Sequence, residues 1–352
     1  MNDVRNIAPS IRYAKAAGMI SQCSLCITHS PIHTVEYYTK MAMELIELGA
    51  DEICIKDMAN LLLPYKAYSL VKRLKESVKI PIHLHTHDTT ANQVATLLMA
   101  AEAGVDIVDT AISSMSSLTS QPSMNAVVAA LEGTQRDTGL DLNELQKLTD
   151  YWADVRLRYE RFDHGLKSPV TDIYRYEIPG GQYTNLRPQV ESLGLGDRFE
   201  EVKEMYKTVN DMLGDPVKVT PSSKVVGDLA IFMVQNDLTP ENIVERGKAL
   251  AFPDSVVSYF KGMMGQPAWG FPEDLQKVVL KGEEPITCRP GKLLPPVDFD
   301  QLEQEVRKFR NDPERKDLIS YAMYPKVYED FCRHRKEYGY ITRMGSHVFF
   351  NG

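Results

Sequence analysis

Four short apolar runs recur through residues 1–135, and their spacing restricts the fold more than any other feature of the chain. Cys23–Thr28 (CSLCIT), Glu52–Lys56 (EICIK), Ile82–His87 (IHLHTH) and Asp106–Ile112 (DIVDTAI) have strand character. Their centres stand roughly 25–30 residues apart, the usual length of one strand–helix unit. The segments between them are amphipathic. Thr34–Gly49 carries Val35, Tyr38, Met41, Leu45 and Leu48 at close to helical period. Pro64–Val78 opens on a proline, which suits a first helical position, and Asn92–Gly104 closes on a glycine suited to a helix end. Strand and helix in alternation predict parallel strands covered by helices.

The alternation stops near Asp137. Leu142–Phe162 reads as one long helix and Phe199–Leu213 as another, with Pro179-Gly180-Gly181 as a turn between them. Residues 215–280 read as short helices punctuated by Pro221, Pro240, Pro253, Pro267 and Pro272, and Val217–Val219 reads as strand-like. Pro290–Pro296 (PGKLLPP) reads as a linker before a helical tail. The expected division is 1–136, 137–296 and 297–352.

Composition excludes several classes of function. With 352 residues, two domains are the prior. Lys and Arg total 40 against 48 for Asp and Glu, a net charge of −8 with no basic run, so nucleic acid and anionic membrane surfaces are not expected partners. No apolar stretch approaches the roughly 20 residues that span a bilayer. The N-terminus MNDVRNIAPS lacks an apolar signal core, and a cytoplasmic location is expected. The five cysteines do not pair into a secreted framework, and Cys23-x-x-Cys26 reads as part of a buried strand.

The strongest local signal is His83-Leu84-His85-Thr86-His87-Asp88. Alternate side chains of a strand share a face, so the three imidazoles point the same way. Three stacked imidazoles make a poor apolar core, whereas imidazole is the commonest ligand of zinc-type ions. The run ends where a helix should begin, at the C-terminal edge of a parallel strand, where α/β sites lie. Lys56 ends the preceding strand in the same way, and spacing alone favours a salt bridge to Asp57 or another carboxylate. Thr220-Pro221-Ser222-Ser223-Lys224 reads, on spacing alone, as a helix N-cap with proline near the first turn. No Gly-rich nucleotide-binding pattern is present.

Several of these segments are similar to one family. Lys56–Ala59 (KDMA), His83–Thr89 (HLHTHDT), Leu118–Met124 (LTSQPSM), Pro179–Tyr183 (PGGQY), Val217–Asp228 (VKVTPSSKVVGD), Lys281–Pro290 (KGEEPITCRP) and Ile319–Phe331 (ISYAMYPKVYEDF) resemble, in order, the carboxyltransferase domain of the pyruvate carboxylases. Transcarboxylase and oxaloacetate decarboxylase α subunits are related, but the decarboxylases usually carry another residue where Lys224 stands. The resemblance implies a (β/α)8 barrel with a helical cap, and a tail leading to a tetramerisation region. It implies a divalent metal (zinc, manganese or cobalt) held by His85, His87, a carbamylated Lys56 and an aspartate of the first barrel strand. It implies that Thr220 shuttles a proton between biotin and the methyl carbon of pyruvate, giving oxaloacetate, and that Ser223 and Lys224 place the biotin ring. Biotin would come from a carrier domain elsewhere, and the full enzyme would be a homo-oligomer.

Three departures qualify the match. Four strand–helix units are present where a barrel needs eight, and they correspond to the family's second half. The aspartate ligand, and the glutamine and arginine that hold pyruvate, belong to the other half. Ile27 stands where the family usually has a tyrosine that assists biotin, and Thr89-Thr90-Ala91 replaces its Thr-Ser-Gly. Neither a biotin carboxylase nor a biotin attachment motif is present in these 352 residues. The expected function is therefore part of carboxyl transfer from biotin to pyruvate. The alternatives are a non-catalytic gene fragment, or a subunit of the decarboxylase or transcarboxylase type.

Overall fold

The structure is a computed structural model that describes residues 3–163 and 166–339. The chain divides into two compact units, 1–290 and 291–352. The first unit opens with α1 (Val4–Ala16), β1 (Gln22–Cys26), α2 (Val35–Glu47), β2 (Glu52–Asp57), α3 (Pro64–Ser77), β3 (Ile82–Thr86), α4 (Gln93–Glu102) and β4 (Ile107–Val108). The four strands form one parallel sheet in sequential order. That order is what half of a (β/α)8 barrel requires.

The helices start where local chemistry dictates. The Thr34 hydroxyl accepts the Tyr37 N–H at the start of α2, and Pro64 opens α3. Their apolar stripes, including Leu45, Leu70, Val71, Leu74 and Leu97, pack on one side of the sheet against Leu25, Ile53, Ile55, Ile82 and Leu84. The opposite side carries Ser24, Cys26, Glu52, Cys54, Lys56, His83 and His85, in register across β1, β2 and β3. The sheet thus has a complete apolar layer on one face and a polar one on the other. Cys23 and Cys26 fall on opposite faces of β1, and neither is part of a disulfide.

The fourth strand is shorter than expected. Of Asp106–Ile112 only Ile107–Val108 is regular strand, with an isolated bridge at Ala111. Asp106 gives its carboxylate to Lys75 and to the Ile82 N–H, and Asp109 is drawn to two histidines, so both flanks are held by side chains.

Next come α5 (Met124–Leu131) and α6 (Leu142–Arg158), the latter followed by a single 3₁₀ turn to Phe162. A helical subdomain follows: α7 (Ile173–Tyr176), α8 (Gly180–Ser192), α9 (Phe199–Met212), α10 (Ser222–Gln235), α11 (Ile243–Arg246), α12 (Asp254–Phe260) and α13 (Glu273–Leu280). Its core gathers Tyr206, Val209, Leu229, Met233, Tyr259 and Phe260.

Three local expectations are corrected here. Pro179-Gly180-Gly181 is not a turn between helices but the start of α8. A Cβ on Gly180 would stand 3.4 Å from both Thr119 Cα and Thr89 Oγ1, so glycine lets this helix start approach the loops beyond β3 and β4. Val217–Val219 is not a strand, because the Ser222 hydroxyl donates to the carbonyls of Val217 and Val219, both at 2.7 Å, and folds the segment back. Within 215–280, α10 is a 14-residue helix buried along most of its length rather than a short one.

Ala91 holds φ at +61°, a left-handed conformation that costs an L-residue about 1–2 kcal/mol. Its position is the one where the resemblance has glycine. Ala91→Gly should raise the unfolding free energy by about 1 kcal/mol in denaturant titration. A loss of stability would mean that the alanine methyl contributes more packing than the backbone loses.

The second unit holds α14 (Phe299–Val306), α15 (Arg315–Met323) and α16 (Pro325–Tyr338) around Val306, Leu318 and Tyr328. Glu314 and Asp317 cap α15 reciprocally. Residues 340–352 of the expected tail lie outside the described residues.

Candidate active site

The polar face of the sheet brings Lys56, His85 and His87 together. Lys56 of β2 and His85 of β3 are register partners, and His87 follows two residues on, with its N–H bonded to the Asp57 carbonyl at 3.2 Å. The three histidines do share a side but not a role. His83 has both ring nitrogens engaged, Nδ1 with Glu52 (2.9 Å) and Gln22 (2.9 Å) and Nε2 with Asp109 (2.7 Å). It is structural. His85 Nδ1 meets the other Asp109 oxygen at 2.6 Å, and His87 Nδ1 meets the Thr119 carbonyl at 2.7 Å.

A carbonyl only accepts, so His87 carries its proton on Nδ1 and presents the Nε2 lone pair. The carboxylate imposes the same tautomer on His85. Burial lowers the pKa of both rings, against the opposing pull of Asp109 on His85 and of Thr119 on His87. Both imidazoles are therefore neutral near pH 7 and have the protonation state of a metal ligand. Asp109 itself is partly buried, which works against its charge, but its bonds to His85 and His83 hold the carboxyl below the usual carboxylate range.

The expected salt bridge from Lys56 to Asp57 does not form. Consecutive strand residues face opposite ways. Asp57 points into the apolar side, fully buried, where it accepts the Leu61 and Leu62 N–H groups and the Thr86 hydroxyl. Lys56 makes no hydrogen bond or ion pair among the described residues, and its charge acts on His85, His87, Cys26 and Cys54. Two neutral imidazoles beside an unengaged lysine amine fit the donor types of a zinc-type ion once the amine carries a carboxylate. No cluster of three or more His, Cys, Asp and Glu side chains suited to a metal occurs among the described residues. Asp88, another acidic side chain in this region, is spoken for by the Gln93 N–H and the Ser117 hydroxyl.

The helical subdomain lies over the same strand ends. The Val170 N–H donates to the Thr89 carbonyl at 3.0 Å, and Tyr174 bonds Thr90 and Asn92. Beyond β1, His33 and Tyr37 share a small cleft with Asp215 and Val217. Burial pushes the His33 pKa down to about 4, with the Lys218 charge adding to it.

Thr220 is exposed two residues past Lys218. It is not the N-cap of α10. Pro221 occupies that position, and no side chain caps the helix. Ser223 is buried in the first turn, its carbonyl accepting the Tyr206 hydroxyl. Lys224 extends outward and pairs with Asp228. Thr220, Ser223 and Lys224 are close in sequence, and no hydrogen bond or ion pair among the described residues joins them to His85 or His87. Ile27 is buried in the sheet's apolar core.

Two features escaped the sequence reading. Lys218 is buried and held by Glu177 (3.1 Å), Asn210 (3.0 Å) and the Pro216 carbonyl (3.2 Å). Glu177 is distant in sequence, while Asn210 and Pro216 lie eight and two residues away. Asp228 lies one helical turn from Lys224, and i,i+4 spacing on a helix would have signalled it.

Two families of known proteins match this chain. A family described as "Conserved carboxylase domain" matches residues 173–352, and one described as "HMGL-like" matches residues 2–151. Over 359 residues the chain is 49% identical to a pyruvate carboxylase of Bacillus subtilis, covering 100% of this chain and 31% of that protein. It is 50% identical over 344 residues to one of Staphylococcus aureus, covering 96% of this chain and 30% of that protein. The solved carboxyl transferase domain of Rhizobium etli pyruvate carboxylase with pyruvate and biocytin matches at a TM-score of 0.97 and 43% identity, across 100% of this chain and 60% of that one. The chain thus spans about a third of the length of the curated relatives it matches.

Proposed function

Because the chain belongs to the conserved carboxylase domain family, we propose that it forms part of a carboxyltransferase that moves a carboxyl group from biotin to pyruvate, giving oxaloacetate. The observation that carries this reading is the shared face on which Lys56 and His85 pair in register beside His87, with both imidazoles fixed as neutral Nε2 donors. His85, His87 and a carbamylated Lys56 would hold a divalent ion. When bound, such an ion would polarise the pyruvate carbonyl and stabilise the enolate.

The chain's own residues supply the proton path. The Thr220 hydroxyl, exposed ahead of α10, accepts the proton leaving the pyruvate methyl group and passes one on to the ureido nitrogen that has released its carboxyl group as CO2. One hydroxyl both donates and accepts, so no net charge accumulates on it. The carbanionic carbon then bonds to CO2. Ser223 and Lys224, in the first turn of the same helix, place the biotin ring, with the Lys224 ammonium supplying the positive charge that an N-carboxylate requires. Biotin, on a carrier domain, and the remaining barrel strands are supplied by another segment or chain. We read the assembled enzyme as a cytoplasmic homo-oligomer. No described helix is long and apolar enough to cross a membrane.

Elemental analysis tests the metal assignment. Protein purified together with the other barrel half should hold near-stoichiometric zinc, manganese or cobalt, and His85→Ala should remove it. Full occupancy in the His85→Ala/His87→Ala double variant would sink the assignment.

A further inference from the structure

The partner of Lys224 is more elaborate than a surface ion pair needs. Asp228 sits one turn beyond it on α10, with its side chain only 8% exposed, while that of Lys224 is 56% exposed. The Asp228 carboxylate is fixed from three helices. One oxygen accepts the Lys224 ammonium and the Ser255 hydroxyl at the start of α12, and the other accepts Gln189 Nε2 of α8 at 3.2 Å. A carboxylate held this way is rigid before the lysine reaches it. All four side chains line a cavity of about 350 Å³ whose apolar part includes Ile231 and Phe232.

An exposed lysine alone loses rotamer freedom on binding a ligand, which weakens the complex by up to about tenfold per ordered side chain. A buried acceptor that pre-sets the ammonium removes that cost. We propose that Asp228, oriented by Gln189 and Ser255, is a positioning residue that holds the Lys224 ammonium at the mouth of this cavity for the cyclic urea of biotin. The inference rests on the reading of Lys224 as a biotin contact.

The test uses the 352-residue chain, free biotin as the probe, and two measurements. Saturation-transfer NMR titration gives biotin affinity, and peptide mass spectrometry gives the rate at which an amine-reactive ester acylates Lys224. Asp228→Asn should weaken biotin binding about tenfold, the cost of ordering one lysine side chain on binding. It should also speed Lys224 acylation several-fold, because the freed amine is no longer engaged. Ser255→Ala should move both measurements the same way by less, and it serves if Asp228→Asn does not fold. Asp228→Glu should restore part of the affinity, which a purely structural carboxylate would not predict.

Lys224→Gln separates the proposal from the reading beneath it. If Lys224→Gln weakens biotin binding while Asp228→Asn and Ser255→Ala leave affinity and acylation rate unchanged, the positioning role is wrong and the biotin contact stands. If Lys224→Gln leaves biotin affinity intact, or the chain binds no biotin, the proposal falls as a biotin device, and faster acylation in Asp228→Asn would then mark only a structural ion pair.

Discussion

Thr220→Ala should lower carboxylation of pyruvate by roughly 10²–10⁴-fold, the range that a positioned proton-transfer group contributes. The measurement requires the assembled enzyme, with the remaining barrel strands and a biotinyl carrier present. Stability should change by no more than about 0.5 kcal/mol, since the residue is exposed and caps nothing. That separation makes the experiment decisive, because a fall in turnover would not be traceable to a damaged helix. Thr220→Ser keeps the hydroxyl and should retain a measurable part of the rate. Equal turnover in the alanine and serine variants would remove Thr220 from the proton path.

A still larger loss is expected for the chain on its own. The 352-residue chain should show no metal- and biotin-dependent decarboxylation of oxaloacetate above background. Four parallel strands do not close a barrel, and the polar side of the sheet, with Lys56, His85 and His87, has no strands facing it among the described residues. By the resemblance, the aspartate ligand and the pyruvate-holding glutamine and arginine lie on strands outside these four. Positioning alone supplies roughly 7–11 kcal/mol of barrier lowering, so losing the substrate clamp removes many orders of magnitude. Co-expression with a segment encoding the first four strands of a relative should restore turnover. Appreciable turnover by the chain alone would overturn this expectation and require another ligand from within it.

The alternation of β1 to β4 with α1 to α4 was legible because each helix has one apolar stripe and each strand a short, bounded run. Burial on a single side writes a period into the sequence. The helix α10 was not legible as a long element. It is buried from Val225 to Val234, so its apolar residues follow no stripe and read as short pieces between prolines. Val217–Val219 misled for a different reason. Its β-branched composition suits a strand, but a hydroxyl three residues beyond Val219 claims the backbone carbonyls that a strand would use.

The same limit applies to the site. Alternation within β3 correctly put His83, His85 and His87 on one side. It could not show that His83 is consumed by Glu52 and Asp109, which arrive from neighbouring strands. Spacing alone also favoured a salt bridge from Lys56 to Asp57 or another carboxylate, and the pleat sends Asp57 to the opposite face. The roles of Thr220, Ser223 and Lys224 came from resemblance, since their spacing alone described a helix start, and even that cap belongs to Pro221.

The two unlike faces of the sheet carry a consequence for how such a domain can be divided. The apolar side is completed by the helices that follow each strand in sequence, so every strand–helix pair brings its own share of the core. The polar side has no such local partner, and what it lacks must come from strands across the barrel. Cohesion is therefore private to each unit, while reactivity is held in common. A barrel of this construction should tolerate being cut between units better than its chemistry does, which makes the two halves natural candidates for a complementation pair, competent only when joined.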